Sequence, residues 1–307
     1  MLLGDIARKG AREYPQRSAL VFGDARYTFA ELNERTNRVA NALQSHGLEK
    51  GNKVAIWADN CPQHVEVCLA TAKCGMVFVP INTFNSAEVN SHILNDCEVN
   101  TLFVGENYSG VLESIRPQLK TVGDFVLIDG SGNKVQYESW ISSCPSREPQ
   151  AQVDEEDLAS ICFTSGTTGL AKGIMLTHKN LISQMELLLS GWHAQSNDTL
   201  LMCFPYFTSA LYYAVLALSY IGGSNVIIGG QTAPETVLEA IQRENITIMY
   251  GPPNTILPAP DHKNVGNYDF SNLRLVPYAG APVPIATLEK LITAFGNIFI
   301  QCYGAQE

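Results

Sequence analysis

The sequence predicts an α/β fold of stacked, mostly parallel sheets with helices between them. Two observations carry this. Helix-periodic and strand-like segments alternate along nearly the whole chain, the pattern of βαβ units. Of 307 residues, 46% are hydrophobic and 16% charged, enough apolar side chain to cover a sheet on both faces.

The alternation starts at Thr28, which with Glu31 has the spacing of a capping box. Leu32, Val39 and Leu43 then share one helical face, and Gly47 ends the helix. Residues 53–57 read as a strand. Residues 62–73 read as a helix, with Val65, Leu69 and Ala72 at helical spacing. A second strand follows at 76–81, Ser86 caps a helix reaching Asn95, and residues 101–104 and 125–128 are further strands. A later series repeats the pattern. Thr177 caps a helix to about Trp192, strands are expected at 199–204, 225–228, 246–250, 273–277 and 297–301, and helices at 209–221, 234–243 and 284–295.

Residues 129–157 interrupt the alternation with Gly, Ser, Asn and Pro and then the run Asp154, Glu155, Glu156 and Asp157. This stretch is the expected connection between two α/β subdomains, residues 1–150 and 151–307. The acidic run is expected to be a solvated cap before the next strand, not a metal site.

Composition excludes several classes. The net charge of −10 disfavours nucleic acid and anionic membrane as partners. Residues 199–234 contain no Asp, Glu, Lys or Arg, but Pro205 and Gly222-Gly223 interrupt them. The remaining apolar run is shorter than the roughly 18 residues of a spanning helix, so a buried core helix is expected. Eight cysteines, none in a C-x-x-C pair, speak against zinc and for a reducing, cytoplasmic setting.

Residues 164–173 read Thr-Ser-Gly-Thr-Thr-Gly-Leu-Ala-Lys-Gly, directly after the apolar run 159–163. Small residues let backbone approach a ligand closely, and consecutive amides in a tight loop form an anion nest. Lys172 adds a point charge suited to phosphate. The stretch is not the G-x-x-x-x-G-K-[ST] loop of NTPases, since Ala171 precedes the lysine and Gly173 follows it.

Further segments occur in order: Tyr27-Thr28-Phe29-Ala30-Glu31-Leu32, Lys50-Gly51-Asn52-Lys53-Val54-Ala55, Gly75 to Pro80-Ile81-Asn82, Thr177-His178-Lys179-Asn180, Tyr278-Ala279-Gly280-Ala281-Pro282, and Gln301-Cys302-Tyr303-Gly304-Ala305-Gln306-Glu307. Together with the loop they resemble the adenylate-forming (AMP-dependent synthetase/ligase) superfamily over essentially the whole chain, closest to its acyl-CoA synthetases. The resemblance implies the large N-terminal domain of such enzymes. It also implies an ATP-dependent, AMP-forming acid–thiol ligase with a carboxylic acid, ATP, Mg²⁺ and coenzyme A as its small molecules; a homodimer is compatible with it.

It further implies roles for individual residues. Thr164, Ser165, Gly166, Thr167, Thr168, Gly169 and Lys172 would hold the β- and γ-phosphates, with Thr167, Lys172 and Glu307 in catalysis. Tyr303 would stack on adenine, with Gly304 and Gln306 beside the nucleotide. Gly280, Ala281 and Pro282 would line the adenine and acyl sites. Glu307 would hold magnesium. Tyr206, Phe207, Thr208, Tyr250 and Gly251 are candidates for the acid pocket, where aromatic side chains suit an apolar acyl or aryl group. His178 is read as a structural residue at a helix start.

Two departures stand out. Gln306 replaces the family's usual Thr, and Thr208 stands where many acyl-CoA synthetases have His. The family also continues past this motif into a ribose-binding acidic residue, a hinge and a small C-terminal domain with the adenylation lysine, none of which is in this sequence. Two alternatives stay open: an aryl- or amino-acid adenylation domain serving a carrier protein, and a noncatalytic nucleotide- or acyl-binding module. Between Phe204 and Asn264 the only Asp is Asp261, which favours an acid without an α-amine.

Overall fold

A computed structural model describes residues 1–128, 136–164, 171–229, 233–259, 261–263 and 265–305. The chain opens with α1 (Asp5–Glu13) and a hairpin of β1 (Ser18–Phe22) and β2 (Ala25–Thr28), elements not anticipated from periodicity. Then α2 (Phe29–Ser45) starts at the expected capping box: the Glu31 amide donates to the Thr28 hydroxyl at 3.2 Å, and the Thr28 amide donates to the Glu31 carboxylate at 2.7 Å. There follow β3 (Lys53–Trp57), α3 (Pro62–Cys74), β4 (Val77–Pro80), α4 (Ala87–Asp96), β5 (Val99–Gly105), the unanticipated α5 (Glu106–Ile115) and β6 (Asp124–Ile128).

Next come α6 (Tyr137–Ser142), β7 (Leu158–Thr164), β8 (Lys172–Thr177), α7 (His178–Gly191) and β9 (Thr199–Met202). The helix expected over 209–221 is a π-helical turn, Leu211–Leu216, running into the short α8 (Ala217–Tyr220). The chain continues through β10 (Ser224–Ile227), α9 (Pro234–Arg243), β11 (Ile248–Tyr250), α10 (Pro253–Ile256), β12 (Val276–Tyr278), α11 (Ile285–Phe295) and β13 (Phe299–Gln301).

Among the described residues the strands form three sheets. The first is ordered β6-β5-β3-β4-β7-β8, the second β11-β9-β10-β1-β2, and β12 pairs with β13. All neighbours are parallel except the hairpins β7–β8 and β1–β2. Both large sheets cross the boundary expected near residue 150. Strands β7 and β8 complete the sheet begun by β3, while β1 pairs with β10 more than 200 positions later. Apolar patterning marks a strand but does not name its partner.

Alternation along the strands defines five layers. Val54 and Ile56 of β3, with Leu200 and Met202 of β9, face one central core shared with α1, α2 and α3. Ala55 and Trp57 face outward onto α4 and α5. Leu201 faces outward onto α9 and α11. Every residue of α3 is buried, as expected for a helix enclosed on all sides.

That enclosure includes charge. Glu66 takes a bidentate pair from Arg35 (2.7 and 3.1 Å) and a hydrogen bond from the Tyr137 hydroxyl at 2.5 Å. Lys73, whose side chain is fully buried, donates to both Glu148 oxygens (3.0 and 2.9 Å), to Asn33 (2.7 Å) and to Asn37 (2.6 Å). The partners Tyr137 and Glu148 lie in the expected linker. Residues 136–150 are therefore a packed strap rather than a loose connection. Its backbone is satisfied by a polar stripe on α2: Asn41 donates to the carbonyls of Pro145 and Arg147, Asn37 to Ser146, and Arg38 to Ser142 and Cys144.

The acidic run behaves as read. The Asp157 carboxylate accepts from the Asp154 amide at 2.7 Å and pairs with Lys50, and Glu155 and Glu156 pair with Lys179. No helix of the described residues is long and apolar enough to cross a membrane.

Burial alone would raise the Glu148 carboxyl, but hydrogen bonds from Lys73, Asn33 and Asn37 outweigh it and hold its pKa down to about 2. A carboxyl depressed in the folded state stabilises above its unfolded pKa and loses that contribution as pH falls through the folded value. Urea unfolding is thus expected to show Glu148→Gln less stable than wild type by about 1–3 kcal/mol at pH 7. The gap should shrink between about pH 5 and pH 2; a constant gap would show that the strap is not held by ionised Glu148.

Candidate functional site

Parallel strands send their carboxyl ends, and the loops that follow, to the same edge of the sheet, where ligands of open α/β folds bind. A cavity of about 520 Å³ lies there. Phe204 follows β9, Tyr250 ends β11, Ala279 and Gly280 follow β12, and Cys302, Tyr303 and Gly304 follow β13. The opposite wall is one face of α7: Gln184, Leu187, Leu188 and Gly191, at helical spacing.

Thr208, Ser209 and Ala210, just before the π-helical turn, and Tyr213 within it supply the remaining wall. Such turns widen the helix by one residue and recur at functional sites. Here Tyr212 points to the first sheet, its hydroxyl 2.5 Å from Ser160 Oγ, while its neighbour Tyr213 lines the cavity. The Tyr213 hydroxyl lies 3.2 Å from that of Tyr250. Burial raises both phenols above their ordinary pKa, so both remain neutral O–H groups at physiological pH. Around Tyr250 pack Phe204, at a centroid distance of 4.8 Å, and Trp192, at 5.0 Å and edge-on, geometries that aromatic pairs favour.

The structure thus brings together Thr208, Tyr250, Gly280, Tyr303 and Gly304 of the residues singled out from sequence. Gly280 has φ +90°, a backbone conformation that favours glycine. A Cβ there would meet only Phe204, at 3.9 Å, so conformation rather than space requires the glycine. Tyr303 is fully exposed at the cavity rim, not a core residue. The Thr208 hydroxyl donates to the Pro205 carbonyl at 2.7 Å, which ties it to its own turn.

Other candidates lie elsewhere. Tyr206 is buried against the His64 ring. Phe207 lines a separate cavity of about 250 Å³ with Phe84. Gly251 allows close packing, since a Cβ there would come within 2.7 Å of Cys203 Cβ. Ala281 and Pro282 are exposed and outside the lining. Thr164 and Lys172 face each other across β7–β8, with Lys172 exposed, and neither contributes to the lining. Ser165, Gly166, Thr167, Thr168, Gly169, Gln306 and Glu307 lie outside the described residues. Among the described residues no cluster of His, Cys, Asp or Glu could hold a metal ion.

His178 is structural as read: buried at the start of α7, its Nδ1 accepts from the Leu3 amide at 3.2 Å. Sequence reasoning missed Trp192, Phe204, Tyr213 and Cys302, because aromatics and cysteines beside apolar runs look like core. It also missed Asn60. This side chain, on the loop after β3, donates to the Phe204 carbonyl at 3.0 Å and accepts from the Tyr206 amide at 2.7 Å. It fixes one wall of the site from the other sheet. Asn60→Ala leaves those two backbone groups without their partner and is expected to cost about 1–3 kcal/mol in thermal or urea unfolding; wild-type stability would mean the clamp is idle.

Comparisons with known proteins bear on this geometry. The family model described as AMP-binding enzyme matches residues 7–307. A feruloyl-CoA synthase from Amycolatopsis sp is 28% identical over 305 residues, covering 99% of this chain and 59% of that protein. The crystal structure of the anthranilate CoA ligase AuaEII in complex with anthranoyl-AMP superposes with a TM-score of 0.93 at 27% identity, over 97% of this chain and 59% of that one. A Mycobacterium tuberculosis fatty acyl CoA synthetase gives 0.92 at 27% identity, over 100% and 60%. The chain therefore spans about three fifths of the length of these relatives.

Proposed function

We propose, from the premise that this chain belongs to the AMP-binding enzyme family, that it is the nucleotide- and acid-binding portion of an ATP-dependent, AMP-forming acid–CoA ligase. In the first half-reaction a carboxylate oxygen attacks the α-phosphorus of ATP, the bond to pyrophosphate breaks, and an acyl-adenylate forms. In the second, the sulfur of coenzyme A, having lost its proton, attacks the acyl carbon and AMP leaves.

One observation carries the reading. A single cavity joins Gly280, Tyr303 and Gly304 to Thr208 and Tyr250, so nucleotide and acid candidates share one space. Adjacent binding of the two reactants is the main requirement of an in-line attack. In this reading Tyr303 offers its exposed ring to adenine, and Lys172 with residues 164–169 holds the phosphates. Magnesium bound with the nucleotide would need only one or two carboxylates from the protein, with Glu307 the proposed ligand, and would supply positive charge beside the phosphates. Preoriented donors stabilise the charge building at phosphorus.

ATP with magnesium at about ten times its Kd is expected to stabilise the chain by about 1.4 kcal/mol, roughly 2–4 °C in Tm. No shift at millimolar ATP rejects the reading. Tyr303→Ala should weaken ATP binding about tenfold or more, as loss of base stacking does. Lys172→Ala should weaken it and flatten its dependence on salt. Unaltered calorimetric affinity in either variant removes that residue from the site.

A further inference from the structure

The inner end of the cavity has a chemistry of its own. Trp192, Phe204 and Tyr250 pack ring against ring there. Met202 and Met249, the adjoining residues of β9 and β11, belong to the packed core and take no part in the lining. The apolar space thus ends on an aromatic wall. Set into that wall are two hydroxyls, those of Tyr213 and Tyr250, 3.2 Å apart. Each carries one proton, and the hydrogen bond between them uses one of the two. One O–H is left over to donate to whatever occupies the cavity.

We propose that this end of the cavity selects a compact, ring-sized carboxylic acid bearing a hydrogen-bond acceptor remote from its carboxylate, and selects against long unbranched acids. The proposal rests on the ligase reading above, because the carboxylate must lie toward the nucleotide side, near Gly280 and Tyr303. Two physical terms produce the selection. A flat ring meets Phe204, Trp192 and the tyrosines in edge-to-face contacts that a flexible chain does not make. A ligand lacking an acceptor buries the remaining hydroxyl without a partner, which a polar site penalises more heavily than a missing methylene.

The test is calorimetric, on the protein saturated with α,β-methylene-ATP, which resists attack at the α-phosphorus. The acids are para-methoxybenzoate, para-ethylbenzoate and dodecanoate; the first two differ by an ether oxygen in place of a methylene. Para-methoxybenzoate is expected to bind about tenfold more tightly than para-ethylbenzoate, the ratio one neutral hydrogen bond supplies, and both more tightly than dodecanoate. Tyr213→Phe and Tyr250→Phe should each bring the ratio of the ring acids toward one. Because that ratio is read within each variant, a general loss of folding or nucleotide affinity cancels. Dodecanoate binding as tightly as the ring acids, a wild-type ratio near one, or a ratio unchanged in both variants overturns the proposal. The nucleotide analogue is titrated first: if it binds and the ring acids do not, the selectivity proposal fails alone, whereas if it does not bind the ligase reading fails too.

Discussion

A helix without an exposed face is the constraint on which this architecture turns. α3 lies in the central core and carries Glu66 and Lys73 into it. Isolated buried charge is costly enough that each must be paired and hydrogen-bonded. Arg35 and Tyr137 serve Glu66, while Glu148 with Asn33 and Asn37 serves Lys73. These partners come from α2 and from the strap of residues 136–150. Satisfying two charges therefore fixes the course of a stretch whose composition, rich in turn formers, would otherwise leave it free.

The same enclosure sets the site. With α1, α2 and α3 packed between two mostly parallel sheets, the carboxyl ends of the parallel strands open to the same edge. The cavity is a consequence of topology before it is a consequence of particular side chains. Its chemistry then comes from residues just past the strand ends and from a helix distorted at one turn. The π-helical segment lets two consecutive tyrosines serve different masters: Tyr212 ties the segment to Ser160 of the first sheet, and Tyr213 faces the cavity.

Much of this was legible in the residues. The capping box at Thr28, the helix cap at Thr177 and the strand at 53–57 are local features, decided by spacing and side-chain chemistry within a few residues. The fold class followed from their alternation, and the family from motifs spread over the chain. What was hidden was non-local. Nothing in Ser18–Phe22 states that its partner lies at Ser224–Ile227. Nothing in the turn-rich 136–150 announces that α2 will supply donors for its carbonyls. At the site, Gly280 and Tyr303 were singled out through motifs that resemble the family's, and both line the cavity. Tyr206 and Phe207 were grouped with them because neighbours in sequence look like neighbours in space. Successive side chains after β9 in fact diverge, Phe204 into the cavity and Tyr206 into the core.

The Asn60 clamp gives the molecule a division of labour between its sheets. Phe204 of the aromatic wall follows a strand of the second sheet, but its carbonyl and the nearby Tyr206 amide are held by a side chain anchored in the first. An exchange of pocket segments between relatives would carry the upholstery across and leave the frame behind. Asn60 does not line the cavity, so the loop after β3 bears on the cavity's shape by leverage rather than by contact.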